Sequence, residues 1–106
     1  MRHAFLLSTA ALVAVSALAS AANHIITQKA RLFSVESITI KKNDTLVFFN
    51  DDTVPHNIMS MSPGNEFNLG SQAPGTSTDV TFKEAGDVQV ICAIHPRMKM
   101  MVKVED

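Results

Sequence analysis

The chain has 106 residues and a formal net charge of −1, which leaves room for one small domain and none for a separate catalytic domain beside it. Nine basic residues against ten acidic ones cannot form the dense cationic face that binds phosphates. We therefore expect no nucleic-acid partner and no basic membrane-binding surface.

Residues 1–21 are predicted to be a secretory signal peptide. Arg2 and His3 form a short basic start, residues 4–19 are an uncharged apolar run, and Ala19-Ser20-Ala21 is a small-x-small cleavage site. An uncleaved membrane anchor is the alternative, since about 20 residues span a bilayer, but the run is rich in Ala and Ser. Cleavage leaves one domain, residues 22–106, in the periplasm with no membrane insertion.

Alternating β-branched and aromatic residues predict short strands along the rest of the chain. We expect strands at residues 38–40, 45–49, 54–61, 77–82, 88–92 and 100–104. A long surface connection is expected over residues 63–78, which hold two prolines and three glycines. About seven short strands without a helical stripe predict an all-β fold, a Greek-key antiparallel β-sandwich or barrel.

The chain has a single cysteine, Cys92. An oxidising compartment favours disulfides, and small secreted domains usually hold an even number of cysteines. Cys92 is therefore an inert buried thiol, an intermolecular disulfide partner, or a metal or redox ligand. Its neighbours decide between these alternatives.

Four candidate metal ligands surround the end of the predicted 88–92 strand. Cys92, His95 and Met98 lie within seven residues, and His56 lies at another strand end 36 positions upstream. Two imidazoles and one thiolate with a weak axial methionine are the ligands of a blue-copper site, whereas zinc uses more thiolates or carboxylates and rarely methionine. The set predicts one copper ion as the cofactor.

The sequence resembles the cupredoxins, the type 1 blue copper proteins, and within them amicyanin and plastocyanin. The matching stretches are Lys42-Asn43-Asp44-Thr45, Val54-Pro55-His56-Asn57, residues 81–86, residues 92–98 and residues 102–105. The resemblance implies that His56, Cys92 and His95 bind copper and that Met98 is the axial ligand. It also implies that Asn57 ties the two ligand loops together and supports the sulfur, and that the Pro55 carbonyl lies near the metal.

The axial ligand has an alternative in Met100, which would give the longer plastocyanin-type loop. Met98 gives the short amicyanin-type loop, in which Pro96 directly follows the histidine. Alternation also assigns Met100 to the buried face that holds Val102 and Val104. We therefore expect Met98 to be the axial ligand.

A site closed by four protein ligands has no open position for a substrate, which favours an electron carrier over an enzyme. The resemblance implies that electrons pass through His95 to transient partners such as a c-type cytochrome or a dehydrogenase, and we expect a monomer. Arg97 stands where amicyanin has an aromatic residue, so amicyanin's partner is not inferred.

Two other functions remain as alternatives. One is a periplasmic copper carrier, in which Met59 and Met61 would add a Cu(I) site, although methionines in a strand are more often packing residues. The other is a relay subunit of a larger oxidoreductase. His24, near the predicted new amino terminus, could bind copper adventitiously.

Overall fold

The computed structural model describes residues 20–106 of the chain, which contain nine strands and no helix. The strands are β1 (Asn23–Lys29), β2 (Leu32–Phe33), β3 (Ser37–Lys41), β4 (Thr45–Asn50), β5 (Ile58–Ser60), β6 (Phe67–Asn68), β7 (Ser77–Thr81), β8 (Gly86–Cys92) and β9 (Lys99–Glu105). Within these residues no helix could cross a membrane. Apart from Ser20 and Ala21, the predicted signal peptide lies outside the described residues.

The strands form two sheets, in the orders β2-β1-β4-β7 and β3-β9-β8-β5-β6. The predicted all-β, sandwich-like fold is confirmed. Both sheets are mixed rather than purely antiparallel, because β1 pairs with β4 and β3 pairs with β9 in parallel. Each of these pairs joins strands separated by other elements, so a crossover can bring them together in the same direction.

The core lies between the two sheets and is built from alternate residues of the strands. Every second residue of β8 and β9 is buried, as the period-two pattern predicts. The buried apolar side chains are Ile26, Ile40, Leu46, Phe48, Ile58, Phe82, Val88, Val90, Cys92, Met98, Met100, Val102 and Val104. Cys92 and Met98 belong to this core. Because Cys92 ends β8 and Met98 directly precedes β9, the candidate copper site lies at one end of the sandwich.

Two predicted segments differ from the observed structure. The strand expected at residues 54–61 is limited to β5, because Pro55 has no N–H to donate and His56 makes only an isolated bridge with Gln72. The connection expected at residues 63–78 contains β6, whose Phe67 ring packs edge-on against Phe82 at a centroid distance of 5.9 Å. The pairing of β6 with β5 and the bridge between Gln72 and His56 place residues 67–72 beside residues 56–60.

Candidate metal centre

The end of β8 and the start of β9 close a short loop around the candidate site. The Cys92 N–H donates to the Met98 carbonyl at 3.0 Å, and the Met98 N–H donates to the His95 carbonyl at 2.9 Å. These two hydrogen bonds keep the loop tight, and His95 Nδ1 lies 3.7 Å from Cys92 Sγ. The geometry follows from the short spacing between Cys92 and Met98 in the sequence.

Three of the predicted ligands come together at one point. The Cys92 Sγ lies 3.8 Å from His56 Nδ1 and 3.7 Å from His95 Nδ1, and the two nitrogens are 3.1 Å apart. Metal–nitrogen and metal–sulfur bonds of about 2.0 and 2.3 Å in a trigonal plane put the donors about 3.5 to 3.7 Å apart. The two sulfur–nitrogen distances match this geometry and the nitrogen–nitrogen distance is slightly shorter, so a small movement of the rings lets the three donors close around a single metal ion.

His56 is fully buried and is fixed on both sides. Its backbone N–H donates to the Gln72 carbonyl at 3.1 Å and its carbonyl accepts from the Gln72 N–H at 2.7 Å. Its Nε2 lies 3.0 Å from the Asp52 carboxylate. A carboxylate on the outer nitrogen leaves Nδ1 free to face the metal and fixes the ring.

Asp52 is not among the site residues predicted from the sequence. Its Oδ2 accepts from the Arg31 backbone N–H at 2.8 Å as well as from His56. These hydrogen bonds, first that of the Arg31 amide and then that of the His56 imidazole, hold the pKa of the Asp52 carboxyl below its usual range. The sequence signal was an acidic residue four positions before a candidate ligand, which is also typical of an exposed loop.

Cys92 is buried, and its sulfur has one backbone donor in the neighbouring loop. The Asn57 N–H lies 3.4 Å from Sγ, and the Asn57 carbonyl accepts from the Ala93 N–H at 2.9 Å. Asn57 thus links the His56 loop to the Cys92 loop through its backbone. A donor to a thiolate ligand withdraws charge from the sulfur and so tunes the metal. Pro55 precedes His56 in this loop, and the position of its carbonyl relative to a metal stays a prediction.

His95 differs from His56 because it reaches the surface. It is half-buried, and its neighbours Ile94 and Pro96 are exposed. The two imidazole rings meet edge-on, with centroids 5.0 Å apart and planes at 69°. One imidazole of the site is thus closed off from solvent and the other forms its edge.

Met98 is fully buried and lies opposite Cys92, to which it is joined by the backbone hydrogen bond described above. Met100 is also buried but pairs with Val90, two residues along β8 from Cys92. A residue pair in a strand spans about 7 Å. The backbone of Met98 therefore lies nearer than that of Met100 to the three converging ligands. The role of Met98 as axial ligand stays a prediction.

The other candidate ligands lie apart from this point. His24 contacts Asp44 at 3.0 Å, near the start of β4 at the opposite end of the sandwich. Met59 is half-buried in β5, and Met61 is 71% exposed. Within residues 20–106, the only close cluster of three or more His, Cys, Asp or Glu side chains is His56, Cys92 and His95.

Comparison with known proteins agrees with this geometry. A model of the family described as "Copper binding proteins, plastocyanin/azurin family" matches residues 21–105. The chain belongs to this copper-binding family. The predicted resemblance to the cupredoxins is thereby confirmed, and copper is the cofactor of the His56, Cys92 and His95 site.

Solved structures similar to this cupredoxin include a novel purple cupredoxin from Nitrosopumilus maritimus, 27% identical, with a TM-score of 0.68 over 76% of this chain and 98% of that one. A reduced amicyanin variant is 25% identical, with a TM-score of 0.69 over 76% of this chain and 80% of that one. A copper-containing nitrite reductase from Thermus scotoductus SA-01 shares the fold at 22% identity and a TM-score of 0.71. The matched region covers 77% of this chain but only 22% of the reductase. Membership of the family and the two-His, one-Cys site point to copper-mediated electron transfer.

Proposed function

We propose that this cupredoxin is a periplasmic carrier that moves single electrons between redox proteins. The observation that carries the proposal is the convergence of His56, Cys92 and His95, with donor separations between 3.1 and 3.8 Å. Donors already close together need little rearrangement when the metal changes oxidation state. A rigid site of this kind suits rapid electron transfer.

Each ligand has a distinct part in the proposal. Cys92 and the two histidines would hold the metal in a plane, and Met98 would supply the weak axial thioether. Copper bound there supplies a one-electron couple, Cu(II)/Cu(I). His56, Cys92 and Met98 are buried, and a metal held by these three and His95 would have no open position for a substrate. The proposed function is therefore that of an electron carrier and not of an enzyme.

His95 is the proposed route for the electron. Its ring is half-buried, and exposed apolar residues surround it, including Leu32 at 58% and Ile94 at 51% exposure. A small apolar contact allows a partner to bind briefly and leave, as weak redox encounters require. A c-type cytochrome or a dehydrogenase would be a suitable partner.

Periplasmic location rests on the sequence of residues 1–21, with its basic start, apolar run and cleavage triplet. A relay role inside a larger oxidoreductase is the second candidate. The nitrite reductase match favours it, because this fold there forms part of a longer chain. Isolation of the chain as a monomer would support the free carrier.

Voltammetry of the copper-loaded protein tests the proposal. We expect a reversible one-electron wave, together with fast reduction and oxidation by small inorganic reagents in a stopped-flow experiment. Cys92→Ser should abolish the wave, whereas Met61→Leu, at an exposed site away from the ligands, should leave it unchanged. A chain that takes up only Cu(I) and passes it readily to a chelator would contradict electron transfer and favour a copper carrier.

A further inference from the structure

The surface beside His95 forms a groove of about 490 Å³, which we call the His95 groove. Its lining includes Arg31, Leu32, Ile94, His95, Pro96 and Arg97. Two cations thus border the apolar surface at which the proposed electron route reaches solvent. The groove joins the turn between β1 and β2 to the loop between β8 and β9.

The turn that presents Arg31 is strained. β1 and β2 form a hairpin in which Lys29 pairs with Leu32, so the loop consists of Ala30 and Arg31 alone. Both residues have positive φ, 52° and 56°. Such two-residue turns favour Asn-Gly, because side chains with a Cβ are disfavoured in this conformation. Strain held in a well-defined turn clusters at functional positions, which singles out Arg31.

Asp52 connects this turn to the copper site. Its Oδ2 accepts from both the Arg31 backbone N–H and the His56 ring. The carboxylate that orients a buried ligand therefore also fixes the backbone of Arg31. Within residues 20–106, Asp52 is hydrogen-bonded to the main chain of Arg31 and not to its side chain. The Arg31 guanidinium therefore remains free to contact a partner.

Within residues 20–106, neither Arg31 nor Arg97 forms an ion pair with an acidic side chain. The ion pairs within the described part of the chain join His24 to Asp44, Lys29 to Asp51, Lys42 to Asp106 and His56 to Asp52. An adjoining groove shares Arg97 and adds one cation, Lys99, and one carboxylate, Glu36. The lining of the His95 groove therefore holds two arginines and no carboxylate, although the Asp52 carboxylate binds the Arg31 main chain and the whole chain has a net charge of −1.

We propose that the His95 groove docks a redox protein whose own redox centre is bordered by acidic side chains, with Arg31 and Arg97 as the residues that select it. The apolar side chains supply a brief contact, and the two cations supply charge complementarity and orientation. The inference rests on the proposed electron-carrier function and adds the chemistry of the partner to it.

The first test maps an anionic probe on the reduced, copper-loaded chain, which is diamagnetic. Hexacyanochromate(III), a paramagnetic and redox-inert trianion, should broaden the amide NMR signals of residues 30–32 and 94–97 first. The effect should weaken as salt is added, because salt screens exposed charges. Equal broadening around the lysines of the opposite end would overturn the inference.

The second test uses cytochrome c, which is basic, and the same cytochrome with succinylated lysines, which is acidic. One electron passes from the reduced chain to the haem Fe(III), which becomes Fe(II). At low salt we compare the rate of electron transfer to the succinylated cytochrome with the rate to the unmodified cytochrome. The ratio of the first rate to the second should fall about 10-fold in the variant R31E/R97E. Comparing this ratio between variants cancels the difference in haem potential.

The matched control is K83E/K103E, which makes the same change in net charge at the other end of the sandwich. Lys83 follows β7, and Lys103 pairs with Asp87 near the start of β8, far from Cys92 at its end. This variant should keep the wild-type ratio. A fall in this rate ratio in both variants, or in neither, would overturn the docking inference but not the proposed electron-carrier function. Failure of the wild type to transfer electrons to either cytochrome would count against the proposed function itself.

Discussion

Single residues divide the work of the copper site between a fixed side and an exposed side. His56 is buried and held by Gln72 and Asp52, whereas His95 is half-buried at the surface. The fixed side preserves the donor geometry, and in the proposed carrier the exposed side would give an electron a short path out. Residues that contact ligands without binding metal should therefore affect affinity and spectrum more than stability.

Asp52 gives the clearest prediction at this scale. Asp52→Ala removes the acceptor of His56 Nε2, so the ring is no longer held and copper affinity should fall about 10- to 100-fold. Competition with a Cu(I) chelator measures the change. Asp51→Ala is the matched control, because the Asp51 carboxylate forms an ion pair with the exposed Lys29 at 3.7 Å and the backbone hydrogen bond of Asp51 to Gln28 is kept, so the copper affinity of this variant should match the wild type. An equal loss in both variants would show that the loop and not the Asp52 contact matters.

The axial ligand can be tested by a pair of substitutions. Met98→Leu should change the electron paramagnetic resonance spectrum and raise the reduction potential, because a donor to Cu(II) is lost. Met100→Leu should leave both unchanged and cost less than about 1.5 kcal/mol of stability, as a volume-conserving change in the core. The reverse pattern would make Met100 the axial ligand.

At the scale of elements, amphipathic strands were predictable and their long-range partners were not. β8 follows from Val88, Val90 and Cys92 at every second position, and β9 follows from the same spacing of its apolar residues, because a half-buried strand imposes a period of two. The parallel pairing of β1 with β4 depends on tertiary packing, which leaves no local pattern. The ligands were predictable because few functions place these residue types at this spacing.

Buried polar side chains mark the limit of the sequence analysis. Gln28, Asn50 and Gln72 are buried, although none of them lies in a strand that was predicted from the sequence. Gln72 accepts from Gln28 at 2.9 Å and donates to the Phe48 carbonyl at 2.8 Å, while Asn50 donates to the Gln72 carbonyl at 3.0 Å. This network holds the segment that pairs with His56. Only the folded chain brings its members together, so no pattern in the sequence predicts it.

Asp44 joins the ends of three strands. Its carboxylate accepts from the Ala22 N–H at 2.8 Å and from the Lys41 N–H and His24 ring at 3.0 Å each. These contacts, led by the Ala22 amide, lower the pKa of Asp44 from 3.8 to about 2. The charged form is therefore favoured by folding, and Asp44 stabilises the fold above about pH 4.

Asp44→Ala tests this contribution. At pH 7 the variant should lose about 2 kcal/mol of unfolding free energy, because the Ala22 and Lys41 amides and the His24 ring lose a charged acceptor. The difference from the wild type should shrink as pH falls from 3.8 toward 2, where the wild-type carboxyl becomes protonated. Denaturant unfolding at several pH values measures it, with the exposed Asp87→Ala as control. A difference that does not depend on pH would contradict the assignment.

At the scale of the whole molecule, the domain is small for a two-sheet fold. Thirteen buried apolar residues form its core in the described range 20–106, and the chain has one cysteine and so no intramolecular disulfide. Small domains bury a lower fraction of their surface and often depend on bound metal for stability. Copper that binds His56, Cys92 and His95 also ties the β4–β5 loop to the β8–β9 loop, which should restrain one end of the sandwich.

We therefore expect copper to raise the melting temperature strongly. Free copper at about 1,000 times its dissociation constant adds about 4 kcal/mol of stability, which corresponds to roughly 20 °C for a domain of this size. Calorimetry with and without copper measures the shift. Cys92→Ala, which removes the thiolate, should show a much smaller shift, and equal shifts in the two proteins would place the stabilising ion elsewhere.

The central claim is that Cys92 binds Cu(II) as a thiolate in the plane of two imidazoles. The visible absorption spectrum of the oxidised, copper-loaded protein tests it most directly. We predict an intense thiolate-to-copper charge-transfer band that is absent in Cys92→Ser and retained in Met61→Leu. A colourless wild-type protein with stoichiometric Cu(II), or the same band in Cys92→Ser, would contradict the claim.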